Sequence, residues 1–74
     1  PLQLTPKEFD LLLALMQNRG KVLTRTFLLE TIWGYSFAGD SRVVDSHIKK
    51  LRSKVSPYSS NIKTIISIGY KLEE

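Results

Sequence analysis

The residues of this chain best equipped for chemistry lie between Arg42 and Val55, in the run RVVDSHIKKLRSKV. Read as a helix of about 3.6 residues per turn, the run places Val44, Ile48, Leu51 and Val55 on one stripe. Arg42, Ser46, Lys49, Lys50 and Ser53 fall on the opposite side, Arg52 and Lys54 flank it, and the lone acid, Asp45, sits at the edge. One apolar face backed by clustered cations and small hydroxyls suits a DNA groove. Phosphates need positive charge, and base edges need forked or flexible donors. Asp45-Ser46-His47 contains the residue types of a hydrolytic triad, but consecutive helical residues point about 100° apart and cannot form a hydrogen-bonded relay. His47 is the only histidine and there are no cysteines, which leaves a poor basis for a metal site. With no glycine-rich phosphate loop, no paired carboxylates and no nucleophile beside a base, the sequence predicts a binding surface, not an enzyme, with no cofactor or metal.

Charge sharpens this reading. Residues 1–40 hold four basic and four acidic residues, whereas residues 41–71 hold seven basic residues against Asp45 alone; Glu73 and Glu74 bring the net charge to +4. A neutral front and a cationic back predict a polyanion-binding surface built from the second half. An anionic membrane attracts the same charge, but a membrane-surface helix carries Trp, Phe or Leu on a wide apolar face and is not followed by strand signals. No apolar run is long enough to span a bilayer, no signal-peptide pattern opens the sequence, and the absence of cysteine fits a reducing compartment. The expectation is one soluble, cytoplasmic domain over residues 1–74, with 42% hydrophobic residues supplying a single small core.

The elements that must hold this surface can be read in order. Thr5-Pro6-Lys7-Glu8 has the pattern of a capping box with proline at the first helical position. It predicts a helix from Pro6 to Arg19, its core stripe Phe9, Leu12, Leu13 and Met16, ended by Gly20 in a left-handed cap. A shorter helix starts at the N-cap Thr24, runs through Phe27, Leu28 and Ile32 to Trp33, and stops at Gly34. The loop Tyr35 to Asp40 follows, and Asp40 or Ser41 caps the basic helix. After the turn formers Ser56 to Asn61, two β-prone runs, Ile62–Ile66 and Tyr70–Leu72, predict a hairpin through Ser67, Ile68 and Gly69, with glycine left-handed. The only other strand candidate is Pro1–Leu4. The expected fold is mainly α with a small β-hairpin: a winged helix-turn-helix of three helices and a C-terminal wing.

Several strings then combine: Leu4-Thr5 with Glu8-Phe9 and Leu11-Leu12, Val22-Leu23 with Arg25 and Leu28, Trp33-Gly34, Arg42-Val43-Val44-Asp45 with His47-Ile48, Leu51-Arg52 and Lys54, and Ile62 and Thr64 with Gly69-Tyr70 and Leu72. Together they resemble the OmpR/PhoB-type effector domain of bacterial two-component response regulators, across nearly the whole chain. The resemblance implies a transcription regulator that binds double-stranded DNA, with helix 41–55 in the major groove and wing 62–72 at the adjacent minor groove. Lys50, Lys49 and Ser46 would lie nearest the bases, while Arg42, His47, Arg52, Trp33, Thr64 and Tyr70 would reach phosphates. It also implies tandem head-to-tail pairs on DNA, a receiver domain and sensor kinase in the full-length protein, and a loop able to touch RNA polymerase, with Tyr35, Phe37 and Asp40 as its candidates. Two departures stand out. Only the last strand of the family's N-terminal sheet has a counterpart, at Pro1–Leu4, so the chain reads as a C-terminal fragment of a larger regulator. The wing has Ile66-Ser67 where the family commonly has Arg-Gly. A different use of the same face, a winged-helix interaction module meeting an acidic protein, predicts no preference among DNA sequences.

Overall fold

The computed structural model of the chain describes residues 3–37 and 39–73. Helix α1 spans Pro6–Gln17. The capping box is formed: Thr5 Oγ1 accepts from the Glu8 backbone N–H at 3.3 Å, and Glu8 Oε1 accepts from the Thr5 N–H at 2.9 Å. The helix ends two residues short of expectation because Asn18 caps it, its side-chain amide donating to the Ala14 carbonyl at 2.8 Å. Strand β1 is the short pair Leu23–Thr24, and α2 follows as Arg25–Ile32, with Thr24 Oγ1 accepting from the Phe27 N–H at 3.0 Å. Helix α3 spans Arg42–Lys54. Its N-terminal side-chain bond comes from Asp40, which accepts from the Arg42 N–H at 2.9 Å, while Ser41 makes none. A 3-10 turn over Tyr58–Asn61 leads into β2, Ile62–Ile65, and β3, Gly69–Leu72.

The α3 stripe lands where its spacing predicts. Val44, Ile48, Leu51 and Val55 are all buried, and they meet Leu11 and Leu15 of α1 and Leu28 and Ile32 of α2 in one core. The α1 stripe does not. Its buried face is Glu8, Leu11, Ala14 and Leu15, while Phe9, Leu13 and Met16 are exposed and Leu12 is only partly covered. Leucines at 11, 12, 13 and 15 make this helix apolar on more than one side, so periodicity gives the helix but not its phase. Glu8 faces inward at 2% exposure because the cap and an ion pair with Lys54 of α3, at 2.7 Å, satisfy its carboxylate.

The sheet also departs from expectation. It has three antiparallel strands in the order β1-β3-β2, and the third strand is Leu23–Thr24. Of the Pro1–Leu4 candidate, residues 1 and 2 lie outside the described residues, and Gln3 and Leu4 are not in a strand. The hairpin turn is Ile66-Ser67-Ile68, and Ser67 takes the left-handed conformation expected of Gly69 (φ 67°). Gly69 is needed for a different reason: a Cβ there would stand 2.0 Å from the Leu23 carbonyl oxygen, so only glycine lets β1 lie against β3.

Candidate nucleic-acid interface

Because the α3 stripe is buried, the opposite side of the helix faces outward. Arg42, Ser46, Lys49, Lys50 and Ser53 are exposed, and Lys49 and Lys50 make no ion pair among the described residues. An open groove beside them, between α3 and the 3-10 turn, is lined by Lys49, Arg52, Ser53, Ser59 and Ser60. The cations and hydroxyls of this groove, with no acid among its described lining residues, form a surface for a polyanion. Ser46 Oγ donates to the Arg42 carbonyl at 3.3 Å. The Arg42 guanidinium pairs with Asp40 at 2.8 Å on the surface, an exposed pair whose ions a stronger anion can separate. That contact lowers the Asp40 pKa and raises that of Arg42, chiefly through the shared hydrogen bond.

Five of the sequence-predicted residues, Trp33, His47, Arg52, Thr64 and Tyr70, are tied into the framework. Trp33, at the end of α2, is half-buried. The His47 ring packs edge-on against it at 4.9 Å between centroids, the Lys7 ammonium lies 5.6 Å from its centroid, and Lys7 Nζ donates to the Ile32 carbonyl at 2.7 Å. His47 Nδ1 sits 2.9 Å from the Val43 carbonyl, a geometry that uses Nδ1 as donor and turns Nε2 away from its own helix. Arg52 reaches across to the wing: Nε and Nη2 donate to the Ile62 carbonyl at 3.1 and 2.6 Å, and Nη2 donates to Thr64 Oγ1 at 2.7 Å. Tyr70 differs most from a simple phosphate donor. It is buried, and its hydroxyl donates to Asp45.

Two residues to which the sequence pattern assigns no role, Asp45 and Arg25, complete this junction. Asp45 also accepts from Arg25 Nε of α2 at 2.9 Å, so one carboxylate joins α2, α3 and β3. Burial pushes the Asp45 carboxyl up, but the hydrogen bonds from Arg25 and Tyr70 and the Arg25 charge outweigh it and leave the pKa below its ordinary value. Burial, then the bond to Asp45 and its charge, push the Tyr70 phenol up. An acid alone among the cations of α3 was the available signal, since a solvated cationic face has no use for it.

In the loop between α2 and α3, Tyr35 is 86% exposed, whereas the Phe37 ring tilts toward Trp33 at 6.3 Å between centroids. Asp40 is occupied by Arg42 as above.

Residues 1–72 match the family described as transcriptional regulatory protein, C terminal. The chain belongs to that family, the OmpR/PhoB-type effector domains of response regulators. It is a family of winged-helix DNA-binding domains of bacterial transcription factors and not one of enzymes. The alkaline phosphatase synthesis transcriptional regulatory protein PhoP of Bacillus subtilis is 55% identical over 76 residues, covering 99% of this chain and 32% of that protein. The chain therefore spans about a third of the length of the curated relatives it matches. Among solved structures, the DNA-binding domain of Bacillus subtilis CssR superposes with a TM-score of 0.90 at 37% identity, covering 96% of this chain and 78% of that one. The Klebsiella pneumoniae RstA DNA-binding domain, solved in complex with RstA box, superposes at 0.84 with 31% identity, covering 97% and 74%. Among the described residues, no helix is long and apolar enough to cross a membrane.

Proposed function

We propose that residues 1–74 are the DNA-binding domain of a longer response regulator acting in the cytoplasm, and that α3 reads a specific duplex sequence from the major groove. The observation that carries this is the exposed face Arg42, Ser46, Lys49, Lys50 and Ser53 on a helix whose other face is fully used by the core. Lys50, Lys49 and Ser46 face the base edges, where flexible donors can find guanine N7 and O6. Arg42, the His47 Nε2 and the Trp33 indole N–H serve phosphates. The wing approaches the neighbouring minor groove or backbone with Thr64, backed by Arg52 and Tyr70. Ile66, 83% exposed at the wing tip, brings no charge there, so base reading rests mainly on α3. Family membership supports the remaining parts: a receiver domain and sensor kinase upstream in the signalling path, tandem pairs on DNA, and a polymerase contact through Tyr35, Phe37 and Asp40. The RstA complex supports the duplex as ligand.

Selection of bound duplexes from a random pool tests the reading. A defined sequence motif with affinity falling steeply in salt is the expected result. Binding to acidic proteins with no preference among duplexes would favour the interaction-module reading instead.

A further inference from the structure

We propose that Asp45 is a positioning residue that sets the wing's angle to α3, so that the wing's hold on flanking DNA depends on a side chain that touches no DNA. The inference rests on the DNA-binding reading above. Asp45 and Arg52 are seven positions apart, about two helical turns, so they project from the same side of α3. Each takes one strand of the hairpin. Asp45 accepts the hydroxyl of Tyr70 on β3, and Arg52 holds the Ile62 carbonyl and Thr64 hydroxyl on β2 while lying 5.7 Å from the centroid of the Tyr70 ring. Tyr70 pairs with Thr64 on one side and Leu23 on the other, so the residue held by Asp45 lies on the central strand.

The third partner closes the arrangement. Arg25 binds Asp45 through Nε, and its backbone N–H donates to the carbonyl of Ile68 in the wing turn at 3.2 Å. The base of the wing is therefore fixed against both helices of the helix-turn-helix. A carboxylate on a cationic face repels phosphate and taken alone weakens DNA binding. Its placement is accounted for by the three groups it joins.

The test uses a duplex chosen by selection, in two lengths: one ending where α3 contacts end, the other extended by about half a helical turn beneath the wing. The wild-type chain should gain on the order of tenfold in affinity from the extension, the worth of one or two charge-assisted phosphate contacts. In Asp45→Asn and in Tyr70→Phe the ratio of the two affinities should fall close to one. The double variant should lose no more than either single one. On electrostatics alone the opposite holds for Asp45→Asn: losing an anion tightens both duplexes and keeps the ratio, and that result overturns the proposal. Additive losses in the double variant overturn it too, since Tyr70 would then meet phosphate directly. Should Asp45→Asn fail to fold by circular dichroism, Tyr70→Phe keeps the ring packing and decides alone, an unchanged ratio overturning the proposal. A wild-type chain that shows no sequence preference sinks the DNA-reading itself, a distinct outcome from a preference without a wing-dependent gain.

Discussion

Lys50 and Arg52 stand two positions apart on one helix, yet one is exposed and without an ion pair while the other is spent on the wing. They should fail differently. Lys50→Ala should cost about 1–3 kcal/mol on the selected site and little on random DNA, the mark of a base contact. Arg52→Ala releases the Ile62 carbonyl and Thr64, so it should weaken every duplex alike and also lower the thermal unfolding midpoint. Titrations of both variants on selected and random duplexes, with a melting curve for each, check the pair. The carboxylates make a second prediction. Glu8 is held below the usual carboxylate range by its hydrogen bond from Lys54, then by that from the Thr5 N–H, and Asp45 is held low by Arg25 and Tyr70 against its burial. Groups with lowered folded-state pKa values stabilise the fold at neutral pH, and that contribution disappears as the pH falls through the carboxylate range, from about 5 downward. Glu8→Gln should therefore be less stable than wild type at neutral pH and approach it in acid, as denaturation midpoints across pH would show. These two roles were hidden from the sequence because each is set by a partner 20 or more positions away: Lys54 for Glu8, Arg25 and Tyr70 for Asp45.

The helices illustrate what local pattern can and cannot carry. Helix α3 was legible in full, because its charged residues leave only one stripe to bury. Helix α1 had a legible cap and a legible length to within two residues, but its run of leucines allowed two phases, and the pairing of Glu8 with Lys54 chose the other one. Strand β1 was invisible: two residues carry no alternation, and its pairing with Tyr70 and Gly69 is decided across the chain. The spacing makes the wing glycine a turn residue, whereas in the structure it is a point of close contact. The composition of the loop between α2 and α3 predicts displayed aromatics, which Tyr35 fits better than Phe37. Replacing Tyr35 and Phe37 together with serine should leave DNA affinity intact and reduce transcription from a promoter carrying the selected site. If circular dichroism shows the double variant unfolded, the Phe37 contact with Trp33 is structural and the polymerase assignment fails.

Taken whole, the molecule carries a net charge of +4 and spends part of its positive charge internally. Lys54 is paired with Glu8 and Arg25 with Asp45. If about four to six phosphates are neutralised by the rest, log K against log salt should fall with a slope of about −4 to −5. An affinity nearly constant from low to physiological salt would defeat the electrostatic account. The strand order β1-β3-β2 has one more consequence, in the time domain of protein synthesis. A ribosome releases the two outer strands before the central one, so neither has a neighbour until residues 69–72 leave the exit tunnel. Before then the helices can gather around Leu51 and Arg25 can reach Asp45, but the Tyr70 hydroxyl that Asp45 accepts and the residue that pairs with Leu23 lie on a strand not yet made. Stalled chains that expose residues only as far as Ile68 should show helical signal without slow-exchanging sheet amides. Chains stalled a few residues beyond Leu72 should acquire protection in β1 and β2 together, in a single step.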